Sequence, residues 1–162
     1  MKLSHFTNKP LTCVTDSVQP TLEYISPYQK PYGFWVSVDG EDDWLSWCTS
    51  ETDWIDTSTL RYRIALTDDA SILKMPDDLS LEDFQDSFGV GTKFRDKAID
   101  WHRVAELYDG IIIAPYQWQH RLSMSWYHPW DCASGVIWLS KAIKDVRLIA
   151  PPTIVPVRSS PR

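Results

Sequence analysis

The sequence predicts a single α+β domain, a sheet of short strands with short helices set between them. Three observations predict it. A chain of 162 residues is long enough to bury one core without disulfide staples. Hydrophobic residues at 43% and charged residues at 23% are ordinary for a globular protein, which excludes wholesale disorder. Strand-like and helix-like stretches also follow one another irregularly, with no βαβ alternation. Nothing repeats at a fixed period and no linker divides the chain, so residues 1–150 read as one domain. Pro151, Pro152, Pro156 and Pro161 make 151–162 an extended, Pro-rich tail.

The elements follow in order. Lys2 to Thr7 is the first strand, ended by Asn8-Lys9-Pro10. After a Pro-punctuated stretch, Gly33 to Val38 reads as a second strand closed by the turn signal Asp39-Gly40. Trp44, Trp47, Cys48 and Glu51 then fall on one helical face. Leu60 to Leu66 alternates apolar and polar, and Ser71 to Met75 is a further strand. Ser80 with Asp83 resembles a capping signal for a short helix through Phe88. Trp101, Val104, Ala105 and Tyr108 mark a helix over 100–108, with Gly110 as its expected end. Ile111 to Ala114 is a buried strand, aromatic strands are expected at 125–130 and 135–139, and Val146 to Ala150 closes the sheet.

The formal charge of −6 (16 basic against 22 acidic residues) argues against a protein that coats nucleic-acid phosphates non-specifically. A local basic patch could still reach a nucleic acid. Cys13, Cys48 and Cys132 form no CxxC pair, so a zinc ribbon or thioredoxin-like motif is excluded. The N-terminus has no apolar segment of signal-peptide type, and the longest apolar run, Ile111 to Pro115, is far too short to span a bilayer. The expectation is a soluble, cytoplasmic protein with no membrane partner. The nine tryptophans are the unusual number, and none falls between residues 55 and 100.

Four stretches combine polar chemistry with aromatics. Leu3-Ser4-His5-Phe6-Thr7 places His5 and Thr7 on one strand face, as hydrogen-bonding groups or as a core histidine with its neighbour. Lys30 to Ser37 leads through a turn into Asp43 to Cys48. Here Trp35 and Ser37 share a face, and Trp44 and Trp47 point at the same sheet, able to hold a flat ring or simply to pack. Tyr108 to Tyr116 is core, with Tyr116, Gln117, His120 and Arg121 at its polar end. In Trp126 to Trp138, Cys132 could be a nucleophile with His128 or His120 as base, or His120, His128 and Cys132 could bind zinc. Alternatively, Asp131 could be a carboxylate in an aromatic-walled cleft.

His5 with Thr7, and Gly33-Phe34-Trp35-Val36-Ser37 running into the helix that ends Trp47-Cys48, resemble the first two motifs of the ADP-ribosyltransferase fold. The likeness is to its His–Tyr–Glu branch, that of the poly-ADP-ribose polymerases and the DNA-targeting toxins. The chain as a whole also resembles a family of small phage and bacterial proteins sharing KPxGxWxS, WxxWC, YDGIxIxPY and WDCASGxIW. The transferase resemblance implies a split antiparallel sheet with short helices, and NAD as substrate. His5 and Thr7 would bond the nicotinamide-side ribose, Gly33 would bond the amide through its backbone, and Trp35, at the branch's Tyr position, would stack on the ring. Asp131, with Asp145 as second choice, would stand in for the late glutamate, because no Glu follows Glu106. His5, Trp35 and Asp131 are thus the expected catalytic residues. Thr7, Gly33, Ser37, Trp44, Trp47, Arg121, Tyr127 and Trp130 are the expected binding residues, and no metal is expected. The acceptor of the ADP-ribosyl group would be water or a host macromolecule, protein or nucleic acid. The alternative is a catalytically inactive module that binds a nucleotide or a host protein, as an anti-defence protein of a phage would.

Overall fold

The computed structural model describes residues 1–21, 26–51, 59–93 and 96–149. The tail at 151–162 and Trp54 lie outside the described residues. The chain forms a mixed α/β domain around a mostly antiparallel seven-stranded sheet. In chain order the main elements are β1 (Leu3–Thr7), β2 (Phe34–Val38), α1 (Trp44–Glu51), β3 (Leu60–Leu66) and β4 (Ile72–Met75). There follow α2 (Asp78–Phe88), β5 (Gly89–Gly91), β6 (Lys97–Ile99), α3 (Trp101–Leu107), β7 (Gly110–Ile113), β8 (Ser134–Ile137) and β9 (Ile143–Ile149). The sheet order is β4-β7-β8-β2-β1-β3-β9, with β5 and β6 pairing as a separate hairpin. Only β4 and β7 run parallel, joined by a crossover that carries α2, the hairpin and α3.

The sheet is nearly divided in the middle. β1 pairs with β3 along its whole length, Leu3↔Ile64 to Thr7↔Leu60. β2 pairs with β8 from Phe34↔Ile137 to Ser37↔Ser134. Between β1 and β2, however, the register holds only Leu3↔Val38 and Ser4↔Ser37. Past that point the two strands part. The His5 ring enters the opening, and its Nδ1 bonds the carbonyl oxygen of Trp35 at 2.7 Å. A side chain thereby satisfies a backbone acceptor that the broken ladder leaves open.

Each face of the sheet carries its own core. One face buries Ile111, Ile113 and Val136 under α2, α3 and the aromatic cluster Phe84, Trp101, Trp126, Tyr127 and Trp130. On the other face lie Leu3, Val36, Tyr62, Ile64 and Ile112, with Leu11 packed against them. The Leu11 N–H donates to Tyr62 Oη at 3.0 Å, tying the segment after β1 across this face. Close strand spacing explains the glycines: a Cβ on Gly110 would stand 2.6 Å from the Val136 carbonyl oxygen, and one on Gly135 2.5 Å from that of Ile111.

Three local expectations are corrected. The segment 125–130 is no strand: the Tyr127 and His128 N–H groups both donate to the Met124 carbonyl, and that of Trp130 to Tyr127, so the chain coils through turns. Pro129 has no N–H to give a ladder. The cap of α2 is Asp77, which accepts from the Ser80 N–H at 2.9 Å while Ser80 Oγ accepts from the Asp77 N–H at 3.2 Å. Ser80 is thus the far side of the box rather than its first residue. Gly110 does not end α3 either; Tyr108 does, in extended conformation, and Gly110 opens β7. Among the described residues, no helix is long and apolar enough to cross a membrane.

Candidate functional site

The opening between β1 and β2 is a cleft of ≈ 280 Å³. Ser4, His5 and Phe6 of β1, Trp35, Val36 and Ser37 of β2, and Ser134 of β8 line it, with Lys30, Trp44, Asp131 and Cys132 from connecting segments and α1. His5, Trp35 and Asp131, distant in sequence, therefore share one cavity.

Each wall has a local cause. Because a carbonyl oxygen only accepts, His5 Nδ1 must carry the proton that bonds Trp35. Burial lowers the histidine's pKa, an effect the Trp35 hydrogen bond partly opposes, so the ring is neutral near pH 7 and Nε2 is a lone-pair acceptor. Phe34 stacks on the imidazole at 4.2 Å and fixes its plane. The Trp35 ring is held edge-on by the fully buried Trp130 at 4.8 Å. Ser37 Oγ accepts from the Trp44 N–H at 3.0 Å, which anchors the start of α1 to β2. Asp43 accepts from the Ser46 N–H at 2.9 Å and completes that helix start. Trp44 in turn stacks on Trp47 at 4.9 Å.

The charges are concentrated at one end. Lys30 Nζ stands 4.8 Å from the centre of the Trp35 ring and 3.9 Å from Asp131 Oδ2. Arg121 Nη2 approaches the other carboxylate oxygen at 3.5 Å. Burial pushes the Lys30 pKa down, and the Asp131 charge pulls it back up. Asp131 thus lies between two cations, one of which covers an indole face.

Of the other expected residues, Ser37 and Trp44 line the cleft. Arg121 and Trp47 stand behind it, against Asp131 and Trp44. Gly33 adopts φ +154°, and a Cβ there would meet the Ile137 carbonyl oxygen at 2.7 Å; it permits the strand contact and does not line the cleft. Thr7 is no part of the lining: its Oγ1 turns away to the Lys9 backbone. Tyr127 and Trp130 are also outside it, as core. Tyr127 Oη accepts from the Gln117 N–H at 3.0 Å, and the Trp130 carbonyl accepts from Tyr116 Oη.

The two cysteine readings fail on geometry and charge. Burial pushes the Cys132 thiol up to about 12, so it is no ready nucleophile. His120 stands beside Asp78 and Glu82 at 3.6 and 3.9 Å, and His128 Nδ1 lies 3.3 Å from the Arg121 carbonyl oxygen. Among the described residues, no group of three or more His, Cys, Asp or Glu could hold a metal ion.

Lys30, Ser4, Phe6 and Ser134 are lining residues that sequence reasoning did not single out. The one available signal was Lys30, a cation next to the Pro31-Tyr32-Gly33-Phe34-Trp35 run. Comparison with protein-family models, curated proteins and solved structures gives no match.

Proposed function

We propose that this cleft binds NAD and that the protein is an ADP-ribosyltransferase-like enzyme. The observation that carries the reading is the Lys30 ammonium poised over the Trp35 ring and beside Asp131. An indole face next to a carboxylate suits a cation, and the oxidised nicotinamide is a flat cationic ring that can replace the ammonium there. A volume of ≈ 280 Å³, just below the roughly 300–1,000 Å³ of sites that enclose a whole small molecule, suits a ring and its sugar. The remainder of a dinucleotide would extend out of the cleft.

The chemistry follows from the three groups. The bond from the ribose C1 to the nicotinamide nitrogen breaks with both electrons going to the ring, which leaves neutral. Positive charge develops on the ribose as an oxocarbenium, which the Asp131 carboxylate stabilises. His5 Nε2 accepts from a ribose hydroxyl and orients the sugar. A nucleophile, water or an acceptor group, then bonds C1 and releases its proton to solvent water at the open mouth of the cleft.

A second reading is binding without turnover, favoured by the two cations on Asp131, which spend part of its charge before any ligand arrives. Calorimetry with NAD, combined with a nicotinamide-release assay, separates the readings. Transfer predicts release that falls about 100-fold in Asp131→Asn while NAD binding persists. In Trp35→Ala, NAD binding should weaken about tenfold through lost stacking. Binding with no release, unchanged in Asp131→Asn, would favour the second reading. Absence of both NAD binding and release would overturn the first.

A further inference from the structure

The cleft floor belongs to a row that crosses the whole sheet. Register places Met75, Ile113, Ser134, Ser37, Ser4, Arg63 and Arg147 side by side, one from each strand, on the same face. The row changes from apolar to hydroxyl to guanidinium across the split. Arg61 lies one pair along β3, opposite Phe6. It borders the cleft directly: its Nε donates to Ser4 Oγ at 3.1 Å, and its guanidinium stands 5.5 Å from the centre of the Phe6 ring.

The arginines have little compensation. Arg61 and Arg63 both bond a single oxygen, Asp39 Oδ2, at 2.8 and 2.6 Å, while Asp39 Oδ1 is buried with no hydrogen-bond partner. Asp145, opposite Ala65, is the other carboxylate that register puts on this face of β3 and β9, against three arginines. β1, β3 and β9 contribute nothing to the large aromatic core that covers this face at the other end of the sheet.

We infer that Arg61, Arg63 and Arg147 form a phosphate-binding subsite for a ligand whose ring occupies the cleft. The inference rests on the ring-binding reading above, and it adds the class of ligand: a cationic or neutral flat ring with a sugar phosphate. The reach fits, since Arg61 touches Ser4 and Phe6, which line the same cleft as Trp35. Guanidiniums sharing one carboxylate oxygen keep N–H groups to offer phosphate oxygens, and such charge-assisted bonds are strong. The phosphate would lie toward β3 and β9, away from the Lys30–Asp131 end.

The test compares nicotinamide riboside, nicotinamide mononucleotide and inorganic pyrophosphate by calorimetry at low salt, on wild type, Arg61→Gln and Arg147→Gln. Arg147 is exposed, so its variant folds even where Arg61→Gln is destabilised. The mononucleotide should bind wild type about tenfold more tightly than the riboside, with a gap that shrinks in both variants and with added salt. Riboside affinity should not change. A wild type that binds both alike, or a gap that survives both substitutions, would overturn the subsite. If no nicotinamide ligand binds but pyrophosphate does, and weakens in the variants, the subsite stands and the ring reading falls. Failure of pyrophosphate together with the nicotinamide ligands would overturn both.

Discussion

At the scale of single residues, burial decides which titratable groups are available. Cys48 and Cys132 have thiols pushed up to about 12 by burial, with Asp43 adding to the effect at Cys48, whereas Cys13 is exposed. Iodoacetamide at pH 7.5 should therefore add one group to the native protein, at Cys13, and three after unfolding; intact mass and peptide mapping read this. Early modification of Cys132 would revive the nucleophile reading. His5 gives a pH dependence. Its folded pKa is below its ordinary 6.5, so the unfolded chain binds the proton more readily. Stability therefore falls as pH drops below about 6.5 and levels off above it. His5→Asn retains an N–H donor for the Trp35 carbonyl without titrating near neutrality. Urea midpoints between pH 5 and 7 should lose the His5 contribution in that variant. An unchanged pH profile would mean that another group drives it.

At the scale of elements, local signals and neighbours share the control. The helices start where short side chains can cap them: Asp77 for α2, Asp100 for α3, and Asp43 at the start of α1. Asp77→Ala should cost about 1 kcal/mol in denaturant unfolding, with the cleft unaffected. Gly33 is more demanding. Its φ of +154° is a region that L side chains rarely adopt, and a Cβ would also meet the Val136 side chain at 2.7 Å. Gly33→Ala should cost roughly 1–3 kcal/mol for the backbone alone, with the contact adding to it, and should also disturb the neighbouring Trp35. A loss below 0.5 kcal/mol, on the scale of an ordinary surface change, would refute the tight β2–β8 approach.

At the scale of the whole molecule, the consequential feature is the weak seam between β1 and β2. One half of the sheet, β4-β7-β8-β2, is backed by the aromatic core; the ladder to the other, β1-β3-β9, holds only two residue pairs, and the smaller core of Leu3, Val36, Tyr62, Ile64 and Ile112 spans the seam on the opposite face. Opening at that seam exposes fewer backbone bonds than opening elsewhere. Hydrogen exchange should therefore be faster in peptides covering β1 than in those covering β7 and β8. Saturating NAD should slow exchange in 3–7 and 33–38 in particular. Uniform slowing across the chain, or none, would count against a ligand bridging the seam.

Much of this was legible in the chain because it is local. Alternation in Leu60 to Leu66, helical spacing in Trp101 to Tyr108 and the all-apolar Ile111 to Ile113 reflect fixed backbone periods, and the structure has β3, α3 and β7 there. His5, Trp35 and Asp131 each stand among aromatics in the sequence, the transferase resemblance groups them, and the cleft gathers them. The exceptions are non-local. The aromatics of 125–130 look like a strand in composition, but the place beside β8 is taken by β7 on one side and β2 on the other, so the segment coils over the face. Thr7 and His5 share a strand face by alternation, yet only His5 reaches the opening, because the seam begins beside it.

The sequence by itself determined the strands at Leu3–Thr7, Phe34–Val38, Leu60–Leu66 and Gly110–Ile113 and the helix at Trp101–Leu107, since each depends on neighbours a few positions away. Which strands adjoin was decided only by the tertiary structure, and with it where the ladder breaks, that Lys30 caps Trp35, and that Arg61, Arg63 and Arg147 continue the cleft floor. Those features depend on register between strands tens of residues apart, and a one-residue slip in any pairing would send every side chain of that strand to the opposite face.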